Sequence, residues 1–514
     1  MSRKIRFILV ATALLAWFGY RTWQQRQPDD AATAAARPAE ATKPVAQAKP
    51  RMLGRLAFRP CNLSSPSSKQ SIEAQCTTHP VPEDRSRPDG RKVALNIAWL
   101  PPSSESNVAP DPVFFLAGGP GQGAVESYPL LDPVFAEVRK QRHVILVDQR
   151  GTGDSNLLSC EAGDDAAGTS VAAARTAATE CVKQLSTHAD LRHYATTDAV
   201  ADLDDVRKAI GATQVNLVGI SYGTRVAQQY AMRHPRATRS IVLDSVVPNT
   251  VGLGNIVARN LDDALALQFA LCKKAPACKD RLGDPRIELD QLLAKLRAAP
   301  VTVTYRDAST GEQAQDVMRA ETVAGLVRMY AYMPAAGALL PKLIHDANNG
   351  RYSGLMALSK MLESDMKDML ALGMHMSVVC TEDAASMTAR AEDERTVLGN
   401  QLPDSLAAMC EVWPKGKAPA DFNRPLSTPV PALVVAGEFD PVTPPRYAKE
   451  VVKTLPNGRL FVLRGQGHSV LGAGCMPKLF AQFVEKADAK ALDGKCLEQL
   501  DYVPPFTNFN GWEP

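Results

Sequence analysis

The 514-residue sequence has almost no net charge: 58 Lys and Arg against 55 Asp and Glu leave +3. No basic run interleaved with aromatics occurs, so the electrostatic footprint of a nucleic-acid binder is missing. There is no Cys-x-x-Cys pair, and none of the eight histidines stands at zinc-ligand spacing beside the cysteines. A metal site is therefore not expected, and no motif calls for another cofactor. No internal repeat is visible, which excludes a solenoid or propeller. What remains is ordinary for a globular protein, at 45% hydrophobic and 22% charged residues. The length exceeds one minimal core, so one large domain with an insertion, or two domains, is expected.

The N-terminus lacks two things. "MSRKIRFILVATALLAWFGYRTWQQRQ" places Arg3, Lys4 and Arg6 before an apolar stretch from Phe7 to Tyr20, the order of a secretory signal. No small-x-small cleavage site follows at once, and 14 residues fall short of the ~20 of a full membrane span. Residues 1–26 thus read as a signal peptide or signal anchor, the missing site favouring an uncleaved anchor. Residues 27–51, rich in Ala and Pro, read as a linker. Ten cysteines behind such a segment imply oxidised pairs in a periplasmic or extracellular space. Pairing of sequence neighbours is the simplest arrangement, although connectivity cannot be deduced from spacing.

From the linker onward, apolar strand-like runs alternate with helical patterns. "RKVALNIAWLPP", "VFFLAGG", "HVILVDQRG", "QVNLVGISYG" and "SIVLDSVVP" read as strands, with a helix after each of the later ones. Such alternation predicts an α/β fold, a mainly parallel sheet covered by helices on both faces. Residues 52–250 form the first part of this core. Residues 251–425 are mostly helical, interrupted by "VTVTYRD", and read as a lid. Residues 426–514 resume the alternation with "PALVVAGEFD" and "RLFVLRG" and complete the core.

The loop "VFFLAGGPGQGA" fits G-x-G-x-x-A and raises the question of a dinucleotide site. That site needs a helix starting at the glycines. Pro129 and Pro133 interrupt this region, and Asp148 lies later than the ~20-residue spacing of the fingerprint. The decisive motif is "GISYG", a G-x-S-x-G with Ser221 between an apolar strand and a helix, as a nucleophile elbow requires. A serine hydroxyl needs an imidazole base oriented by a carboxylate. After the lid, Asp440 and then His468 each follow a strand, in the order Ser, acid, His. Asp244 and Glu438 are rival acids. Two backbone N–H groups should stabilise the oxyanion: that of Tyr222, and one from the glycine loop at Gly119 or a direct neighbour.

These motifs, "GGPGQG", "DQRGTGDS", "GISYG", "GEFDPVTP" and "GHS", stand in the order seen in the α/β-hydrolase exopeptidases. The sequence resembles the tripeptidyl aminopeptidase and proline iminopeptidase family over about Cys76 to Cys496. Ala117 stands where proline iminopeptidases carry His, which favours the tripeptidyl aminopeptidase-like branch. The resemblance implies an α/β-hydrolase fold with the lid inserted before the last strands, and a serine exopeptidase acting on peptides with a free N-terminus. An exopeptidase must pair the substrate ammonium with carboxylates, and Glu382 and Asp383 in "VVCTEDAAS" are the candidates. The alternative is that both acids cap the following helix or pair with a lid arginine. An esterase on the same machinery, or a silent envelope binding protein tethered to the membrane, are the rival functions. Oligomeric state is not legible.

Overall fold

The computed structural model describes residues 49–512 except 66–69, 105, 161–169, 309 and 368–369. The expected signal segment and nearly all of the linker lie outside the described residues. Ten strands form one sheet: β1 (Arg51–Leu53), β2 (Leu56–Ser64), β3 (Ser71–Pro82), β4 (Lys92–Leu100), β5 (Val113–Leu116), β6 (Val144–Val147), β7 (Val215–Ile220), β8 (Thr238–Asp244), β11 (Ala432–Gly437) and β12 (Gly458–Leu463). The two strands between β8 and β11 in the chain, β9 (Val301–Arg306) and β10 (Gln313–Met318), pair only with each other, antiparallel. The spatial order of the large sheet is β1-β2-β3-β4-β6-β5-β7-β8-β11-β12. From β6 to β12 every pairing is parallel, whereas β1 to β4 and the β4–β6 pair are antiparallel.

The parallel strands β5, β6 and β11 are buried at every position, as apolar runs covered on both faces must be. Alternate residues enter two cores. Phe114, Leu217, Ile241 and Val434 lie in one, together with Val200, Leu203 and Val206 of the helix Thr196–Ala209 and with Val226 and Tyr230 of the helix Tyr222–Arg233. Phe115, Val218, Val242 and Leu433 lie in the other with Phe135 and Phe480, whose rings meet edge to face at 5.2 Å. The antiparallel edge was not expected: β2 carries Arg59, Asn62 and Ser64 at exposed positions, and its sparse apolar residues hide its strand character.

The inserted segment divides in two. Residues from Leu261 to Met356 build their own core, with Leu265, Leu293, Val327 and Ile344 among its buried members. It includes the β9–β10 pair, of which only β9 was legible. The returning helices Leu372–Glu382 and Gln401–Val412 instead join the core under the sheet, through Met374, Met376, Val378, Val379 and Cys410. Met356 belongs to the lid's own core.

Five disulfides join sequence neighbours: Cys61–Cys76, Cys160–Cys181, Cys272–Cys278, Cys380–Cys410 and Cys475–Cys496. Among the described residues no helix is long and apolar enough to cross a membrane. Cys380–Cys410 closes a 30-residue loop between the two returning helices. Replacing both by Ser should lower unfolding stability by about 3–4 kcal/mol in the chain-entropy account, read as a shift of the urea midpoint, with the intact protein showing a full complement of oxidised cysteines in non-reducing peptide maps.

Candidate active site

Ser221 stands between β7 and the helix Tyr222–Arg233 with φ 55° and ψ −122°. An L-residue adopts this conformation only where its surroundings impose it. The glycines of the motif supply the space. A Cβ on Gly223 would lie 2.1 Å from the Leu116 carbonyl oxygen, and one on Gly219 would lie 2.4 Å from that of Gly223. The turn is pinned by the Ser221 N–H donating to the Asp244 carbonyl at 2.9 Å on β8.

The glycine loop follows β5, which pairs with β7, and so leaves the sheet beside the serine. A Cβ on Gly118 would come within 3.3 Å of Ser221 Cβ. Gly119 has φ 102°, and its neighbourhood is held from the returning segment: Ala371 N–H donates to Gly121 O at 2.9 Å, and His375 Nδ1 lies 3.1 Å from Pro120 O. Burial lowers the His375 pKa, leaving a neutral ring whose Nδ1–H can donate to that carbonyl. Beyond the loop come only short elements: the helix Ala124–Ser127, a 3₁₀ turn at Tyr128–Leu130, the helix Asp132–Phe135 and a second 3₁₀ turn at Val138–Lys140. No long helix begins at the glycines, which removes the basis for a pyrophosphate site. Asp148 accepts Val125 N–H at 2.9 Å and Asn96 Nδ2–H at 2.8 Å. It braces the loop from below, and its burial pushes its pKa up to about 6.

Asp440 and His468 follow β11 and β12. His468 Nδ1 lies 3.0 and 2.9 Å from the two Asp440 carboxylate oxygens. Asp440 also accepts Val442 N–H, Thr443 N–H and the Thr443 hydroxyl, each at 2.8 Å. Against the burial penalty, the imidazole and these donors hold the Asp440 pKa below its ordinary value. Burial alone would depress His468, but Asp440 raises it. A lid residue completes the support: His468 N–H donates to Tyr332 O at 2.9 Å, and the two rings meet edge to face at 5.1 Å. The rival acids are engaged elsewhere. Asp244 accepts the backbone N–H groups of Val470 and Leu471; Glu438 accepts Gly465 N–H and the Tyr502 hydroxyl.

Glu382 and Asp383 require a correction. They are buried and already paired within the protein. Their side chains are 1% and 2% exposed, and both turn to Arg225, one helical turn beyond Ser221. Arg225 Nη1 lies 3.0 Å from Asp383 Oδ2 and 3.7 Å from Glu382 Oε2. Glu382 also accepts Thr196 N–H at 2.7 Å and the Thr196 hydroxyl at 3.0 Å. That hydroxyl is 2.7 Å from the Tyr222 phenol. A fully buried guanidinium demands carboxylates more strongly than an open cleft does. The signal was present in "SYGTRVAQQY", where an arginine stands on the apolar, core-facing helix behind the serine. Tyr332 and His375, by contrast, carried no local pattern that marked them, and Thr443 stood in "GEFDPVTP" without a role of its own.

Topology counts here as much as side chains. The serine, acid and histidine loops leave one sheet edge in the chain order of the hydrolases that combine a parallel sheet with a nucleophile elbow, and the fold and site define a hydrolase of that class. The chain belongs to the alpha/beta hydrolase fold family, whose model matches residues 111–473. It is similar to the serine protease Hip1 of Mycobacterium tuberculosis, with 24% identity over 87% of this chain and 92% of that protein. It is also similar to the tripeptidyl aminopeptidase of Streptomyces lividans, with 25% identity over 77% of this chain and 78% of that one.

The Arg225 cluster generates a stability prediction. The double variant Glu382→Gln/Asp383→Asn leaves a buried guanidinium without a counter-charge, at an expected cost of about 3–5 kcal/mol. Urea unfolding followed by circular dichroism checks it; an unchanged midpoint would return the two acids to a role at the cleft.

Proposed function

We propose that the protein is an exported serine exopeptidase that hydrolyses peptide bonds near a free N-terminus through an acyl-enzyme intermediate. The observation that carries the reading is the His468 Nδ1 to Asp440 bridge, at 2.9 Å, on loops of the edge where Ser221 occupies its strained turn. Ser221 Oγ attacks the scissile carbonyl while the His468 Nε2 takes its proton, and the same imidazole then protonates the leaving amine. Asp440 holds the tautomer with Nδ1–H towards itself and stabilises the imidazolium. The Tyr222 N–H and an N–H of the glycine loop at Gly119 bind the oxyanion, so the loop that imitates a pyrophosphate cradle receives a transient alkoxide instead. Water then attacks the acyl-enzyme, with His468 again as base.

The peptidase assignment is supported by the names of the relatives, serine protease Hip1 and tripeptidyl aminopeptidase. Export is supported by the five disulfides, which persist in oxidising compartments. In this reading residues 1–26 act as the signal or inner-membrane anchor, and the substrate is a peptide in the periplasm or outside the cell.

Ser221→Ala and His468→Ala should each lower kcat by roughly 10⁴–10⁶-fold, and the double variant should be little worse than either, because triad members act as a unit. Peptidyl chromogenic substrates with free and N-acetylated termini, run beside a p-nitrophenyl ester, test the specificity. Hydrolysis restricted to free-amine peptides supports the exopeptidase; ester hydrolysis without peptide hydrolysis replaces it with an esterase. The base must be neutral, and His468 is raised above the ordinary 6.5, so kcat/KM should fall as pH drops through a limb lying above 6.5.

A further inference from the structure

The end of β8 carries a buried acid that the triad does not use. Asp244 is fully buried, and among the described residues its direct partners include no cation. Its carboxylate accepts Val470 N–H at 3.0 and 2.9 Å and Leu471 N–H at 2.9 Å. The next residue extends the grip: Ser245 Oγ accepts Ser469 N–H at 2.8 Å and itself lies 3.1 Å from Asp244 Oδ1. Three consecutive N–H groups directly after His468 are thus gathered by one dipeptide. The same Asp244 uses its carbonyl to accept the Ser221 N–H at 2.9 Å. Ser469 has φ 68°, a conformation that a non-glycine residue keeps only when its surroundings enforce it.

We infer that Asp244 is a positioning residue of the reaction: it fixes the histidine loop and the serine turn against one another and places a second negative charge behind the imidazole. An ordinary packing position would be filled by an apolar side chain at no desolvation cost. A carboxylate here costs burial energy, which its donors from Val470, Leu471 and Ser245 offset only in part, so burial pushes its pKa up to about 6 and the charge is present above that range. Among the described residues, three titratable groups face His468: Asp440 from the loop after β11, Asp244 from β8, and the Tyr332 phenol from the lid. Asp244 therefore acts twice. It sets the distance between nucleophile and base, and its charge favours the imidazolium formed as Ser221 loses its proton.

The inference rests on Ser221, Asp440 and His468 as the triad, and its test is kept separate by using a p-nitrophenyl ester and phosphonate labelling of Ser221. If that triad reading fails, Ser221→Ala keeps ester turnover; if the positioning role fails, only the Asp244 and Ser245 variants reveal it. Asp244→Asn should lower kcat by about 10²-fold, the scale of a small misplacement of reacting groups, with KM nearly unchanged and the acidic limb of the kcat/KM profile moved to lower pH. Asp244→Glu, which restores the charge, should return the limb towards the parent position. Ser245→Ala removes one loop contact but no charge, so it should lower kcat without moving the limb. A purely structural role would lower the amount of folded enzyme, by circular dichroism, while labelled molecules kept the parent profile, and that result overturns the inference. Parent kcat and profile in Asp244→Asn overturn it too. If that variant does not fold, parent kcat in Ser245→Ala does so.

Discussion

Everything at this site follows from one backbone conformation. Ser221 sits at φ 55° and ψ −122°, and its turn survives only because three other backbones lie against it. The Leu116 carbonyl crosses where Gly223 has no Cβ, the glycine loop passes beside Ser221 at Gly118, and Asp244 on β8 accepts the Ser221 N–H. Each of these neighbours is at a strand end of the same parallel sheet. A parallel arrangement puts the ends of β5, β7, β8, β11 and β12 along one edge, so the serine turn, the glycine loop, the acid and the histidine arrive together without any long-range search. The buried apolar runs therefore do more than fill a core: they fix the registry in which a strained turn becomes tolerable.

The inserted segment is part of that registry. It reaches the loops of the candidate site from two sides, through Tyr332 O on the histidine loop and through Ala371 and His375 on the glycine loop. Gly467 shows how close the first contact is, since a Cβ there would stand 2.0 Å from Tyr332 O. The Gly-His pair of "GQGHS" thus answers to the lid as well as to chemistry. The lid's own core, around Leu261, Leu293 and Ile344, is separate from the sheet. The stretch from Ala371 to Trp413 shares the sheet's core and is stapled by Cys380–Cys410. An insertion anchored in this way can vary its outer helices without disturbing the edge below it.

Periodicity and turn chemistry made the parallel strands, the elbow and the order of Ser221, Asp440 and His468 legible, because those features depend on local runs and on small residues at fixed offsets. Neighbour pairing of the cysteines was only the simplest arrangement, yet it is the one adopted. Of the N-terminal antiparallel strands β4 was legible, whereas β2 and β3 were not, since each interleaves exposed polar positions with few buried apolar ones. Glu382 and Asp383 stood out as charged residues near a cysteine, but their meaning depended on Arg225, which precedes Asp383 by 158 residues and is visible as a partner only in three dimensions. Asp244 posed the converse problem. Its place after a strand is compatible with a triad acid, and only the direction of the Val470 and Leu471 N–H groups shows that it serves the loop and leaves the ring to Asp440.

The buried charges around the serine also oppose one another in pH. Burial raises the Glu382 pKa to about 7 despite Arg225. An acid with a raised folded pKa contributes stability that is present while it is protonated, and this is lost as pH climbs from its ordinary range towards 7. Asp440 has the reverse sign, because its depressed pKa contributes stability above the ordinary carboxylate range that is lost in acid. His468, raised by Asp440, contributes below its ordinary value and gives that contribution up as it deprotonates above 6.5. Its neutral form is also the one that can act as base. The frame is therefore less stabilised by this cluster in the range where the imidazole becomes competent, and the apolar sheet, the Arg225 pairing with Asp383 and the disulfides have to hold the edge in place there.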